Sequence, residues 1–348
     1  MSTSLARRLP EVLVPALLVV ATALLGLAVS SYLEGYFVVT LVKVAIVVGL
    51  YVFIGNSGVL SFGQISFVAV GAWAAGVLTV PRAEKPIAFP GLAHFLVTTN
   101  VGNISSLALA AAVGGVFALA VGLPLMRLSG LAAGIATFAV LEITNNVLGY
   151  DGAIGPALNG FSSVPPTTGI WQATIGALIC IAVAYAYQRT RFGRMLRATR
   201  EDPAAAAAAG ISIHRQRLIA FTLAGAMAGF AGGLYVHLQP LAANDLYLDL
   251  TFITLAMLVV GGAGSLLGAV VGALAINGIY TFFTAAVNRV DVFGWHVQVR
   301  AGTADIVLGV LMLLVLIFRP NGITGGREFS LPRRRRPVAD LEKARATT

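Results

Sequence analysis

The stretch YFVVTLVKVAIVVGLYVFIGNSGVLSFGQISF, residues 36–67, decides the architecture. From Tyr36 to Ile54 it is almost entirely apolar, with one charge, Lys43. A helix needs about 17–25 such residues to cross the hydrocarbon of a bilayer, and this run has that length. Glycines then cluster at Gly55, Gly58 and Gly63, where they permit tight turns and close backbone approach. Ser61, Gln64 and Ser66 place polar groups at membrane depth immediately afterwards. Polar groups there need protein partners or water, so two readings stand: the segment lines a cavity, or it makes hydrogen bonds between helices.

The rest of the chain has the same character. Of its 348 residues, 58% are hydrophobic and 11% charged, whereas soluble domains are roughly 45–50% apolar and about 25% charged. That is too little charge to cover a soluble surface, and lipid takes the place of water. The lone cysteine, Cys180, sits in an apolar run and excludes both a disulfide framework and a multi-cysteine metal site. His94, His214, His237 and His296 are scattered without metal-ligand spacing. No glycine-rich loop ending in Gly-Lys-Ser/Thr occurs, so this chain is not expected to bind ATP, a metal or another cofactor itself.

About ten stretches are long enough to span, near 11–31, 36–54, 60–80, 104–126, 128–149, 169–188, 217–238, 246–262, 264–286 and 303–319. The expected fold is an all-α, polytopic helix bundle of about ten spans (8–10), some glycine-broken or re-entrant at Gly58 and Gly261. The first run follows Arg7 and Arg8, is about 20 residues long and lacks a small-x-small cleavage site, so it reads as a spanning helix and not a signal peptide. The +9 charge gathers beside the spans, which assigns it to membrane orientation and not to nucleic acid. Arg7 and Arg8, the loop from Arg189 to Arg217, and Arg319 to Arg336 are the basic regions, and positive residues stay cytoplasmic. Six spans before the basic loop and four after it satisfy that rule and put both termini inside. The external loop at 81–103, with Arg82 and Lys85, is a mild exception.

Two further segments carry information. The loop Phe192-Gly193-Arg194-Met-Leu-Arg197-Ala198-Thr199-Arg200-Glu201-Asp202-Pro203, with alanines to Ala209 and then Gly210, predicts a short amphipathic helix. An Asp-Pro start, a strong alanine helix and a glycine stop follow. It reads either as a docking element for a partner or as a solvated topogenic loop. Gly261-Gly-Ala-Gly264-Ser-Leu-Leu-Gly268-Ala-Val-Val-Gly272 echoes the glycines of the first segment, and with Gly225, Gly229 and Gly233 it predicts close helix packing.

In this order and spacing the segments resemble the membrane (permease) subunit of branched-chain amino-acid ABC importers, from about Gly55 to Gly325. The resemblance is carried by Gly55–Gln64, Ile135–Ile143, Phe192–Glu201, Ala220–Tyr235, Gly261–Gly272 and Phe318–Gly325. It implies a permease domain over 1–326 with a coupling loop near 189–216, and a basic cytoplasmic tail over 327–348. It implies a cell inner-membrane protein working with a second, homologous permease subunit, two cytoplasmic ATP-binding subunits that hydrolyse the ATP, and an extracytoplasmic substrate-binding protein. By the same resemblance Arg194 to Gly210 is the coupling segment, and Gly193, Arg194, Arg197, Ala198, Arg200, Glu201, Asp202 and Gly210 are the candidate ATPase-coupling residues. Ser61, Gln64, Thr137, Glu142 and Asn145 are the candidates along the pathway. Thr137 and Glu142 are five residues apart and point in different directions on a helix. Glu142 either lines the pathway or pairs with Lys43 to lessen the cost of burying both.

The chain departs from the family pattern in places. Ala207 and Ala208 stand where a Glu-Ala pair is common, Ile154-Gly155-Pro156 replaces Thr-Gly-Gly, and Tyr51 replaces an asparagine. Permeases for urea or short amides share most of the motifs, so that solute class stays open. A secondary transporter or channel should carry several intramembrane titratable groups, and here Lys43 and Glu142 are the main ones. A membrane enzyme would need a nucleophile or metal cluster at depth, which the separated histidines and single cysteine do not supply.

Overall fold

The computed structural model describes residues 10–29, 31–89, 91–150, 160–161, 163–287, 300, 302–326 and 328. Arg7, Arg8, Ile154–Pro156, Arg289, Asp291, His296 and Arg333–Arg336 lie outside the described residues. Among those described, the regular structure is helical: α1 (Pro10–Ala28), α2 (Ser31–Ser57), α3 (Gln64–Thr79), α4 (Lys85–Ala88), α5 (His94–Thr98), α6 (Asn103–Leu125) and α7 (Gly130–Tyr150) come first. They are followed by α8 (Ile170–Arg189), α9 (Arg191–Glu201), α10 (Pro203–Ala208), α11 (Ile213–Val236), a 3₁₀ turn (Ala243–Leu246), α12 (Leu248–Gly261), α13 (Leu266–Val287) and α14 (Thr303–Phe318). Eight of these segments are long and apolar enough to cross a membrane, and the shorter apolar helices α3 and α14 complete the set of ten expected stretches. The protein is an all-helical, multi-pass membrane protein. The expected boundaries hold to within a turn or so; the largest offset is at α2, which begins at Ser31 and not at 36.

Burial sorts the helices. In α2, 89% of the apolar window is covered by protein, against 22% in α1, so α2 is an internal axis and α1 a peripheral helix. Its counterpart is α11, which packs against α6, α3 and α2. Lipid offers no hydrophobic drive for helices to associate, so close packing of small residues takes that role. The stripe Gly225, Gly229 and Gly233 of α11 lies on Ala118, Gly114 and Ala110 of α6, while Gly232 faces Val68 and Ala72 of α3. Phe53, Phe67, Phe117 and Phe221 fill the remaining volume, with edge-on ring contacts at 5.0, 5.2 and 5.8 Å between centroids.

Two interruptions shape the bundle. Between α2 and α3 the chain leaves helical geometry from Gly58, where φ is +69°, to Gly63. At about 1.5 Å per residue the 16 residues of α3 span about 24 Å, less than the roughly 30 Å of hydrocarbon. The glycine interruption expected at Gly58 is therefore observed, at the start of this segment. Between α12 and α13, Gly262 (φ +116°) reverses the chain, and Gly261 and Gly272 bring the two backbones into contact where side chains would overlap. The turn after α14 seals this corner: the Ile323 N–H donates to the Val260 carbonyl at 2.8 Å and the Thr324 hydroxyl to the Gly261 carbonyl at 2.9 Å.

The charge that broke the expected bias has a structural use. Lys85 is buried and donates to the carbonyls of Leu96, at 2.9 Å, and Thr99, so it caps α5. His237 likewise joins α11 to α3, with Nδ1 donating to the Gly233 carbonyl at 2.7 Å and Nε2 on the Thr79 hydroxyl at 3.1 Å.

Candidate functional site

The non-helical segment after α2 must satisfy its backbone without lipid contact, and it does so against α7. The Phe62 N–H donates to Thr137 Oγ1 at 3.2 Å, and that hydroxyl donates to the Gly134 carbonyl at 2.8 Å. Gly63 lies against the Thr137 carbonyl so closely that a Cβ would overlap it. Ser61, Gln64 and Thr137 are each only 1% exposed. The hydroxyls of Ser61 and Ser66 and both amide atoms of Gln64 are buried with no protein partner among the described residues. Buried polar groups are ordinarily satisfied, and an unsatisfied one costs about 1–3 kcal/mol. Three side chains in this condition within six residues, Ser61 to Ser66, mark a polar spot inside an apolar bundle.

Glu142 and Asn145 belong to another face of α7. Glu142 is half-buried and accepts from Asn146 Nδ2 at 2.8 Å and from the Tyr247 hydroxyl. Asn145 Oδ1 is buried without a partner among the described residues. The structure thus brings Ser61, Gln64 and Thr137 together and sets Glu142 apart, bonded to Tyr247, with Asn145 in neither group of contacts. The alternative pairing of Glu142 with Lys43 does not form. Lys43 Nζ donates to Asn277 Oδ1 on α13 at 2.9 Å, Asn277 Nδ2 donates to the Thr40 hydroxyl at 2.6 Å, and the ammonium stands 5.0 Å from the Tyr280 ring centroid.

The arginine helix α9 docks on the same end of α2. Its N-cap Thr190 accepts from the Gly193 N–H at 3.2 Å, and Gly193 lets the helix start lie on the Tyr187 carbonyl. Leu196 and Thr199 are buried beneath it. Arg197 Nε donates to Asn56 Oδ1 at 2.8 Å and Arg200 Nη1 to the Gly55 carbonyl at 2.5 Å. Both guanidinium groups thus sit at the negative end of the α2 dipole. Gly58 makes room for this, since a Cβ there would stand 3.0 Å from Arg200 Cγ. Arg194, Ala198 and Glu201 stay exposed. Asp202 ends α9 and caps α10, accepting from the N–H groups of Ala204 and Ala205 at 2.9 and 3.0 Å. Gly210 (φ +79°) closes α10, with its N–H on the Ala207 carbonyl and that of Ile211 on Ala206. Of the alanines in α10 only Ala206 is buried, so the others form an exposed apolar knob held between two fixed caps.

That knob gives a first prediction. Asp202→Ala removes two hydrogen bonds at an N-cap, an effect of about 1 kcal/mol, on a helix of six residues that has little else to hold it. Limited proteolysis should cut the 203–210 segment faster in the variant while the bundle stays intact; equal rates would show that the cap does not matter.

Several partners were beyond sequence reasoning. Asn56 lay inside the quoted glycine run, yet nothing local linked it to Arg197 across 141 residues. Glu328 accepts from the Leu266 and Leu267 N–H groups at 2.7 and 3.4 Å, capping α13 from 62 residues away. Tyr51, which departs from the family pattern, takes part in this corner by accepting from Gln188 Nε2 at 2.5 Å.

A polar, glycine-broken joint inside a multi-pass bundle, with a basic helix docked on it, is the arrangement to set beside known membrane proteins. Residues 32–316 match the family described as branched-chain amino acid transport system / permease component, and the chain belongs to that family. It is 27% identical over 312 residues to the probable branched-chain amino acid transport permease LivH of Methanocaldococcus jannaschii, covering 84% of this chain and 91% of that protein. It is 26% identical to the high-affinity branched-chain amino acid permease LivM of Salmonella typhimurium over 82% of this chain and 68% of that one. A shorter likeness, 30% over 145 residues, covers 40% of this chain and 39% of the autoinducer 2 import permease LsrC of Klebsiella pneumoniae. No solved structure gives a significant match to the chain.

Proposed function

We propose that this chain forms half of the translocation pathway of an ATP-driven importer for branched-chain or related amino acids. One observation carries the mechanism: Arg197 and Arg200 tie the exposed α9–α10 element to the last turn of α2, directly before the unsatisfied Ser61–Gln64 segment. A partner that moves α9 therefore moves the backbone that precedes those polar groups. The α10 knob and the exposed Arg194 and Glu201 are the surface offered to a cytoplasmic ATPase. The pathway residues are Ser61, Gln64 and Thr137 at the joint, with Glu142 and Asn145 on the second polar face of α7.

The amino-acid solute comes from the named relatives. The chain carries no phosphate-binding loop, so ATP is bound and hydrolysed by two partner subunits, and the chain itself holds no cofactor. A second, homologous permease completes the pathway, in keeping with LivH and LivM both being among the relatives, and an external binding protein delivers the solute. In this reading the basic α9 loop faces the cytoplasm, as the bias of positive residues favours, and with six spans before it and four after it both termini lie on that side.

The test is copurification with candidate ATPase subunits, followed by ATP turnover with and without leucine-loaded binding protein. A stable complex whose turnover rises on adding the loaded binding protein is expected, and replacing leucine by urea or a short amide separates the solute classes. Absence of any associated ATPase, with solute moving down its gradient through this chain alone, would overturn the reading in favour of a channel or secondary transporter.

A further inference from the structure

A cleft of about 680 Å³ lies between α2, α12, α13 and α14, away from the Ser61–Gln64 joint, and its wall carries charges of both signs. Lys43 is on one side; Asp245, Asp249 and Asp305 are on the others. Lys43 is 6% exposed, yet among the described residues the one ion pair is Arg189 with Glu11. Its ammonium has three donors; Asn277 takes one, the Tyr280 ring faces the cation, and no carboxylate among the described residues pairs with it. A buried charge without a counter-ion is costly and rare in a membrane domain, and it marks a place where something else supplies the opposite charge. The aspartates are exposed and equally without a cationic partner among the described residues. Opposite charges thus line one cavity without forming an ion pair among the described residues, an arrangement that suits a ligand carrying both a negative and a positive pole. Between them the wall is apolar, formed by Leu250, Ile253, Ala256, Leu308 and Met312.

We propose that this cleft binds a small zwitterion, Lys43 taking its carboxylate, the aspartates its ammonium, and the apolar wall its side chain. The inference deepens the importer reading and rests on it for the solute class. The cleft volume falls within the roughly 300–1,000 Å³ of small-molecule sites.

The test uses the complete importer complex in detergent without its binding protein, and measures binding of leucine, of 3-methylbutylamine, which lacks the carboxylate, and of 4-methylpentanoate, which lacks the ammonium. Wild type should favour leucine over either by about tenfold or more, the usual effect of losing one charge-assisted hydrogen bond. Lys43→Met keeps the volume and removes the charge. It should lower leucine affinity about tenfold and leave the amine unchanged. Asp249→Asn with Asp305→Asn should do the converse, weakening leucine and leaving 4-methylpentanoate unchanged; being exposed, these two carry the test if the Lys43 variant does not assemble. Leucine affinity unaltered in every variant that assembles overturns the site, as does displacement by phosphoethanolamine and not by leucine, which would assign the cleft to a lipid headgroup. Leucine binding that follows this pattern without ATP-driven uptake would instead overturn the importer reading and leave the site standing.

Discussion

Gly232→Leu abolishes the folded permease, whereas Gly278→Leu leaves it intact. A Cβ at Gly232 would overlap the Val68 carbonyl of α3 and lie 3.0 Å from the Ala72 nitrogen, while one at Gly278 meets nothing within 4 Å. The obstacle at Gly232 is backbone, so no rotamer change relieves it, and α3 and α11 must separate. Separation also lifts Gly229 off Ala110 and Gly114 of α6, because the same α11 serves both neighbours. Overpacking a core costs about 1–3 kcal/mol where side chains can yield. Here two helix interfaces open together, and the loss approaches the roughly 5–15 kcal/mol by which folded domains are stable at all. Size-exclusion chromatography of fluorescently tagged protein should show the Gly232→Leu peak reduced to about a tenth or less. A wild-type profile would mean that the α3–α11 contact does not hold the bundle.

The spans were legible because lipid imposes one constraint, an apolar length, that single residues report without knowledge of their neighbours. The 36–54 run could have been read nowhere else in a soluble fold, and α2 is the result. The break at Gly58–Gly63 was legible for a similar reason, since a positive φ favours glycine and Gly58 has φ +69°. Pairings were not legible. Lys43 was open to Glu142 by charge alone, but it bonds Asn277, 234 residues away, and Glu142 takes the hydroxyl of Tyr247, 105 residues away. Complementary charge names the types that can pair, whereas the helix order around α2 decides which do. The Lys85 exception arose in the same way: a topological rule counts every cation, and the fold had already used this one to cap α5. The charged cleft was not legible because its residues come from five helices and the 3₁₀ turn, each contributing a few polar positions to an otherwise apolar sequence.

Replacing Arg197 and Arg200 together by alanine should uncouple transport from ATP hydrolysis without dissolving the bundle. The two guanidinium groups are the polar connection from α9 to the end of α2, on Asn56 and on the Gly55 carbonyl. A hydrogen bond from a charged group contributes about 1.5–3 kcal/mol when sheltered. Arg200 is exposed and Arg197 half-buried, so screening reduces the sum to about 2–3 kcal/mol. That loss corresponds to about thirtyfold to 150-fold in the population of the docked arrangement. The bundle should survive, because Leu196, Thr199 and Gly193 still seat α9. In a reconstituted importer, leucine uptake should fall about tenfold or more, while ATP turnover continues and no longer responds to loaded binding protein. Arg194→Ala, on the exposed face, should instead weaken ATPase association and leave the response per assembled complex unchanged. Arg200→Lys should recover uptake only in part, since a point ammonium reaches the Gly55 carbonyl without the planar fork that fits beside Gly58. Uptake within twofold of wild type in the double variant would show that movement reaches the Ser61–Gln64 joint by another route, through Leu196 and Thr199, and not through the arginines.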